Sequence, residues 1–359
     1  MKILVVMKRF GANKDMVMQD FGRQVNLFKP LAKKHKIDFL CPDYVKKDDK
    51  VITRKGIRFI IKPFGFFSIF KFLKYMKKLF KNEKYDAIVA TTDPLIGALC
   101  NNYSRKYKIP MVYDLQDNFE VYDTYRIPFI PYFHKKAVKE AEAVLTVSES
   151  LKNYISKTRR KPTFVIQNGI DLSMFRPIDK IKSRKKLKLP LKSKIIVYVG
   201  HLERLKGADV LLDAFSKVRQ RCPDTYLLLS GQVDKSIDIK QKNIIFREFP
   251  KREEVVLGIN AADVAIIPNP SNGFTKYCFP YKLAEYMACN VPIVATGVGD
   301  VSLMLKNQDN SLCKPGNPDD LAEKIILQFE NNKKAGYDIK KFDWILLSEK
   351  LNDIMKQLN

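Results

Sequence analysis

What most constrains this chain is a series of short apolar segments without alternation. Residues 3–7, ILVVM, offer no polar position. A strand with one wet face alternates, so a continuous apolar run predicts a parallel strand covered on both sides. Further strands are predicted at 37–40, 57–61, 85–90, 111–115, 144–148 and 164–166, and again at 195–199, 226–229, 244–246 and 264–268. Stretches of helical spacing lie between them, such as Val25, Phe28 and Leu31, where Pro30 is set to kink or shorten the helix. Strand and helix in alternation predict doubly wound parallel sheets. A length of 359 residues allows two domains, each able to bury a core.

The densest signal is residues 272–300, NGFTKYCFPYKLAEYMACNVPIVATGVGD. Phe279-Pro280 closes a loop, and residues 281–288 predict a short helix with Leu283, Tyr286 and Met287 on its apolar side. Asn290 fits a helix stop, residues 292–295 a buried strand, and Gly297 and Gly299 the turn after it. Glu285 then rides on a helix whose first amides lack partners and whose N-terminal dipole is positive. Such a carboxylate can take two ribose hydroxyls while the helix end faces phosphate, which predicts a nucleotide-sugar site. A second anion site is predicted where Gly200 follows a strand and Lys206 precedes a helix at Gly207, bringing an ammonium and helix amides together.

Charge adds a partner. With 46% hydrophobic and 29% charged residues the chain reads as globular, yet its net charge is +26, so an anionic partner is expected: nucleic acid, lipid head groups or phosphorylated ligands. Residues 55–81 contain no acidic residue. At helical spacing Lys71, Lys74, Lys78 and Lys81 share one face, and Phe66, Ile69, Leu73, Met76 and Phe80 the other. Two readings stand: a helix packing on its sheet, or a membrane-surface element with Phe66 and Phe67 in the interface and Lys71, Lys74 and Lys78 on anionic head groups. Both hold if only the loop at 63–68 is exposed. Six cysteines without a C-x-x-C pair predict reduced thiols in a cytoplasmic protein. The apolar run at 3–7 is short for a signal-peptide core, and no stretch of 18 uncharged apolar residues predicts a membrane span. No D-x-D triplet occurs, so neither a metal clamp nor another cofactor is expected.

The stretch FPYKLAEYMACNVPIVAT closely resembles the donor-site motif of the family-four retaining glycosyltransferases (glycosyl transferases group 1). VLTVSESLKNYI (144–155), VIQNGIDLSMF (165–175) and VYVGHLERLKGADVLLDAF (197–215) resemble further motifs of that family, in its order. The resemblance implies the α/β GT-B fold, two Rossmann-like domains facing a central cleft. It divides the chain into an acceptor domain at 1–178, a linker at 179–194, a nucleotide-sugar domain at 195–340, and a C-terminal helix at 341–359 that crosses back.

It also implies a site. Glu285 matches the ribose-binding glutamate, and Tyr277 stands eight residues earlier where members often carry a sugar-binding glutamate. Cys278, Phe279, Pro280 and Lys282 surround the helix entry, Gly200 and Gly231 end strands beside it, and Phe249 lies in the segment expected near the base. Lys206 matches a phosphate-binding lysine, His201 replaces the family's arginine, and Arg204 is placed to supply that charge. Gln116, with Asp117 beside it, stands where members often carry a histidine near the transferred sugar. Gly22 and Arg23 match the first loop's glycine pair, and Arg126 lies in an aromatic stretch suited to an acceptor groove.

The implied activity is metal-independent transfer of a hexose-type sugar, with retention, from a nucleoside-diphosphate sugar, UDP favoured over GDP. The expected acceptor is a lipid-linked or membrane-borne glycan at the cytoplasmic membrane face, with the protein peripheral there on an anionic surface and no nucleic-acid partner. A GT-B sugar-nucleotide epimerase and a non-catalytic basic binding protein are the alternatives.

Overall fold

The computed structural model describes residues 1–11, 14–20, 22–330 and 335–358. The chain forms two units: Met1–Gly169 with Trp344–Asn359, and Ile170–Asp343.

The first unit opens with β1 (Lys2–Val6) and a small hairpin of β2 (Phe10–Gly11) and β3 (Lys14–Asp15). Helix α1 (Arg23–Phe28) is short because Pro30 diverts the chain into a 3₁₀ turn at Pro30–Lys33. Strands β4 (Lys36–Asp43), β5 (Lys50–Arg54) and β6 (Ile57–Pro63) follow, then α2 (Ile69–Asn82). Next come β7 (Ala87–Thr91), α3 (Pro94–Tyr107), β8 (Met111–Leu115) and α4 (Ile130–Glu140). Strand β9 (Ala143–Thr146), α5 (Glu149–Ile155) and β10 (Thr163–Val165) complete the sheet, whose order is β10-β9-β8-β7-β1-β4-β6-β5. All pairs are parallel except β5 with β6. The edge strand β5 was not predicted, because KVITR is largely exposed and lacks the apolar run of a central strand.

The second unit begins with α6 (Lys180–Lys186) and β11 (Lys194–Val199), then α7 (Ala208–Arg221), β12 (Thr225–Ser230) and β13 (Ile244–Phe246). It continues through α8 (Arg252–Asn260), β14 (Val264–Ile267), α9 (Tyr281–Ala288) and β15 (Ile293–Thr296). Helix α10 (Gly299–Leu305), β16 (Leu312–Cys313) and α11 (Pro318–Glu330) close it. Its sheet is parallel throughout, in the order β13-β12-β11-β14-β15-β16. That order reverses direction between β11 and β14, the place where open α/β sheets open a crevice at the strands' C-terminal ends.

The predicted linker at 179–194 needs correction, for it is built into the second unit. Arg184 of α6 is buried, donates to the carbonyls of Ala261, Leu191 and Ser193, and meets Asp263 at 2.7 Å. Dense lysines read as solvated chain, but one arginine among them organises a carbonyl cluster. The unit boundary falls earlier, after Gly169. The last helix, α12 (Trp344–Lys356), belongs to the first unit, where Leu347, Leu351, Ile354 and Met355 join the core that contains Ile3 and Val5 of β1. Its Ser348 donates to the carbonyl of Leu27 at 2.6 Å.

The face prediction for α2 is also corrected. The buried side chains are Phe72, Met76, Leu79 and Phe80, whereas Phe66 precedes the helix and is 88% exposed. Lys71, Lys74 and Lys78 are exposed, as are Phe67 and Phe70.

Candidate active site

The second unit's site assembles at the switch between β11 and β14. After β11 the chain turns at Gly200 and makes a 3₁₀ turn, Arg204–Lys206, before α7. Gly207 is required there: it holds φ +76°, and a Cβ would lie 1.9 Å from the carbonyl oxygen of Pro268, which follows β14. Gly231, after β12, holds φ +133°, and its Cβ would lie 2.1 Å from the carbonyl oxygen of Gly200. Three strand ends are thus drawn together with no side chain between them.

Charged groups gather around this close backbone. Lys206 Nζ lies 2.7 Å from Glu203 Oε1, and His201 Nδ1 lies 3.4 Å from the same oxygen. Glu203 therefore serves as the internal anion of the loop. Arg204 is exposed, one residue into the turn. Tyr198 donates to the carbonyl of His201 at 2.9 Å, fixing the loop's course.

Helix α9 enters from the other side. Its Tyr286 hydroxyl accepts from the Val199 amide at 2.9 Å, pinning the helix to the end of β11. Phe279 is buried against Phe342, and Pro280 caps the helix without a side-chain cap bond. Cys278 is buried, its Sγ 3.5 Å from the Thr275 carbonyl, and Tyr277 is half-buried. Lys282, one residue inside α9, is half-buried, with its ammonium nitrogen shielded from solvent. Its ammonium has no hydrogen-bond partner among the described residues and sits 3.7 Å from the centre of the Tyr198 ring. It approaches Gly200 closely enough that a Cβ there would stand 3.1 Å from Nζ. Burial, and then the repulsion of Lys206, pull its pKa down to about 7. One turn on, buried Glu285 meets Arg252 of α8 at 3.2 Å. Phe249 packs against Gly258 of α8, so the 247–251 segment is held to the helix that carries Arg252.

The remaining candidates lie in the first unit. Arg23 is buried, with Nε and Nη2 on Asp114 at 3.0–3.1 Å and Nη1 on the Gln167 carbonyl at 2.7 Å. As an acceptor contact Arg23 is corrected: its donors are occupied inside the protein, so it positions the loop. Gly22, at φ +96°, admits the chain to α1. Gln116 accepts from Gln24 of α1, and Asp117 accepts from the Tyr122 hydroxyl at 2.8 Å. Arg126 is exposed and pairs loosely with Asp123 at 3.7 Å. His134 is buried and hydrogen-bonded to Tyr113 at 2.9 Å; burial lowers its pKa to about 4, as for a structural histidine.

Three residues of the second unit's site were missed. Glu203 had a local signal, three residues before Lys206 within one turn. Tyr198 and Arg252 had none, because their partners come from elsewhere in the chain.

Comparison with known proteins agrees with this architecture. The model of the glycosyl transferases group 1 matches residues 179–355, and that of Glycosyltransferase Family 4 matches residues 25–174. TuaC of Bacillus subtilis, a glycosyltransferase provisionally assigned to teichuronic acid biosynthesis, is 32% identical over 225 residues. That match takes in 62% of this chain and 56% of TuaC, so the chain spans little more than half the relative's length. Among solved structures, sucrose-phosphate synthase from Thermosynechococcus elongatus superposes with a TM-score of 0.77 at 18% identity, covering 99% of this chain and 98% of that one. HepE of Anabaena, solved with UDP, gives 0.77 at 18% identity over the whole of both chains. The fold is that of the GT-B class, and the two family models together account for nearly all of the sequence. The chain belongs to the group 1 glycosyltransferases, of the family-four type.

Proposed function

We propose that this protein is a retaining, metal-independent glycosyltransferase that moves a hexose-type sugar from a nucleoside-diphosphate sugar, UDP before GDP, to a lipid-linked or membrane-borne glycan at the cytoplasmic membrane face. The observation that carries the donor assignment is Lys282. A buried ammonium without an acceptor is costly unless an anion comes to it, and this one lies under the Gly200 loop beside Lys206. HepE, which shares the fold, is solved with UDP and with UDP-glucose, which supports the choice of base.

In this reading the diphosphate displaces Glu203 as the partner of Lys206 and His201. Lys282 approaches from the α9 side, with Arg204 at the solvent rim. Glu285 takes the ribose hydroxyls, with Arg252 paired to its carboxylate. As the bond from the anomeric carbon to the phosphate oxygen breaks, negative charge grows on the leaving diphosphate, where these cations are pre-set to receive it. The acceptor hydroxyl bonds to the anomeric carbon on the face the diphosphate leaves, and its proton passes to the departing phosphate oxygen. Tyr277 offers the sugar a neutral hydrogen bond in place of a carboxylate. In the first unit, Gln116 and Asp117 are the candidates for the transferred sugar and Arg126 for the acceptor, while Arg23 positions the loop that begins at Gly22. The membrane contact is the start of α2, where Phe66 and Phe67 stand in solvent beside Lys71, Lys74 and Lys78.

The test is a binding and turnover screen with UDP- and GDP-sugars in EDTA. Stabilisation by UDP-sugars that is lost in Lys206→Ala and Glu285→Ala, with sugar transfer or slow hydrolysis retaining the anomeric configuration, is the expected result. No response to any nucleotide overturns the donor assignment.

A further inference from the structure

The most exposed aromatic rings among the first unit's described residues fall in two places. One is the entry to α2, where Phe66, Phe67 and Phe70 are 88%, 94% and 79% exposed. The other opens α4, where Phe129, Tyr132 and Phe133 are 76%, 64% and 45% exposed. Phe129 holds φ +68° as the residue capping α4, a left-handed conformation that ordinary side chains seldom adopt. Its ring nevertheless gains no burial from that geometry.

Topology puts both outcrops on one rim. Helices α2, α3 and α4 follow β6, β7 and β8, and each leads to the next strand in the same direction across the sheet. Right-handed crossovers therefore set all three on one face, with their N-termini at the strands' C-terminal ends. The helices are tied side by side. Tyr103 of α3 donates to the Leu73 carbonyl of α2 at 3.2 Å, and Phe80 of α2 stacks on Tyr103 and Tyr107. Asn101 of α3 donates to Glu140 of α4 at 2.8 Å. The entry to α3 stands between the two aromatic groups, and Asp93, which caps it, accepts from Thr124 in the segment leading to α4 at 3.1 Å.

Charge identifies the partner. Residues 54–82 hold nine Lys and Arg and no Asp or Glu; residues 126–139 hold four and none. Rings at the front with lysines behind them suit an anionic bilayer, whose interface takes aromatic side chains and whose head groups take cations.

We propose that the α4 outcrop is a second membrane foot, which with the α2 outcrop forms one rim docked on anionic phospholipid. This rests on the membrane contact at α2 proposed above and extends it. Two weak contacts on one rigid unit reinforce each other, since the second forms at high effective concentration once the first is made. They also fix orientation, turning the strands' C-terminal edge toward the lipid. That is the edge where such sheets bind ligands, so a lipid-linked acceptor would be met at the surface that carries it.

The test uses the full chain and vesicles of phosphatidylcholine, alone or mixed with phosphatidylglycerol. One variant carries Phe129→Ser, Tyr132→Ser and Phe133→Ser; the other carries Phe66→Ser, Phe67→Ser and Phe70→Ser. Each is expected to lower partitioning onto the mixed vesicles by roughly ten-fold or more, with the melting temperature and UDP affinity unchanged. A Trp placed by Phe129→Trp is expected to be quenched by brominated lipid beyond the background of Trp344. If the α4 variant binds vesicles like the wild type while the α2 variant does not, the second foot is overturned and those rings serve another partner, such as a glycan. If the wild type itself binds no anionic vesicle, the α2 contact fails and this inference with it.

Discussion

The two units treat buried charge differently. In the first, buried cations are saturated from within. Arg9 meets Asp15, Asp43 and Asp48 at 2.5–2.9 Å, and Arg23 meets Asp114 and the Gln167 carbonyl. The described residues of the second unit include a cluster of the same kind, Arg184 on Asp263. At the β11–β14 switch, however, this unit shields the Lys282 ammonium against a ring face with no hydrogen-bond partner, and the carboxylates of Glu285 and Glu203 act on it only through space. A saturated buried pair holds loops in register and has nothing left for a ligand. An unsaturated one is a stability defect kept where a ligand can complete it.

Four changes break or sharpen that contrast. The largest effect is expected from Arg23→Ala, which leaves Asp114 buried without its cation. Such a loss costs about 3–5 kcal/mol, read as a lower urea midpoint with the slope unchanged. The equivalent change in the second unit should act with the opposite sign on stability. Lys282→Met removes a buried charge and should stabilise by ~1–4 kcal/mol, while UDP affinity falls ten-fold or more by titration calorimetry, on the order of 1.4 kcal/mol or above. A variant that loses both stability and affinity would refute the view of Lys282 as a ligand-awaiting cation.

The third is pH dependence. The folded pKa of Lys282, about 7, lies below its unfolded value near ~10.4. Between them the unfolded chain holds the extra proton, so its contribution to stability rises with pH across that window, by at most about 1.4 kcal/mol per pH unit. Below pH 7 the full penalty applies. Melts of the wild type from pH 7 to 10 should show this slope relative to Lys282→Met. His134 works in the acid range: its folded pKa of about 4 lies below the unfolded value near ~6.5. Stability should therefore be lost as pH falls from 6.5 to 4, and His134→Gln should flatten that loss.

The smallest effect is expected from Glu203→Gln. The pairs that Glu203 makes with Lys206 and His201 are partly exposed, worth ~0.2–1 kcal/mol. Removing that competitor should tighten UDP binding by at most about five-fold. Weaker binding would show that Glu203 orients the loop for the donor and does not compete with it.

Much of the fold was legible in the sequence because its signals are local. The apolar run at 3–7, the helix at 281–288 and the strand after it depend on neighbours a few residues away, and the structure shows each nearly where periodicity puts it. The donor motif was legible for the same reason, being one loop, one helix and one strand. Where long-range pairing decides, the sequence was silent. The edge strand β5 forms because β6 offers it hydrogen bonds, not because KVITR has a strand's pattern. The basic segment 180–194 reads as linker until the carbonyl of Ala261 turns Arg184 inward.

The sequence by itself thus determined two sets of parallel strands with helices between them and the order of the motifs. Only the tertiary structure decided which of 65 Lys and Arg are buried and which of those lack a partner. Arg23 and Asp114 are 91 residues apart and saturate each other, while Lys282 lies three residues from Glu285 and does not. Burial and charge pairing arise from how strands and helices stack, and local periodicity carries no record of that.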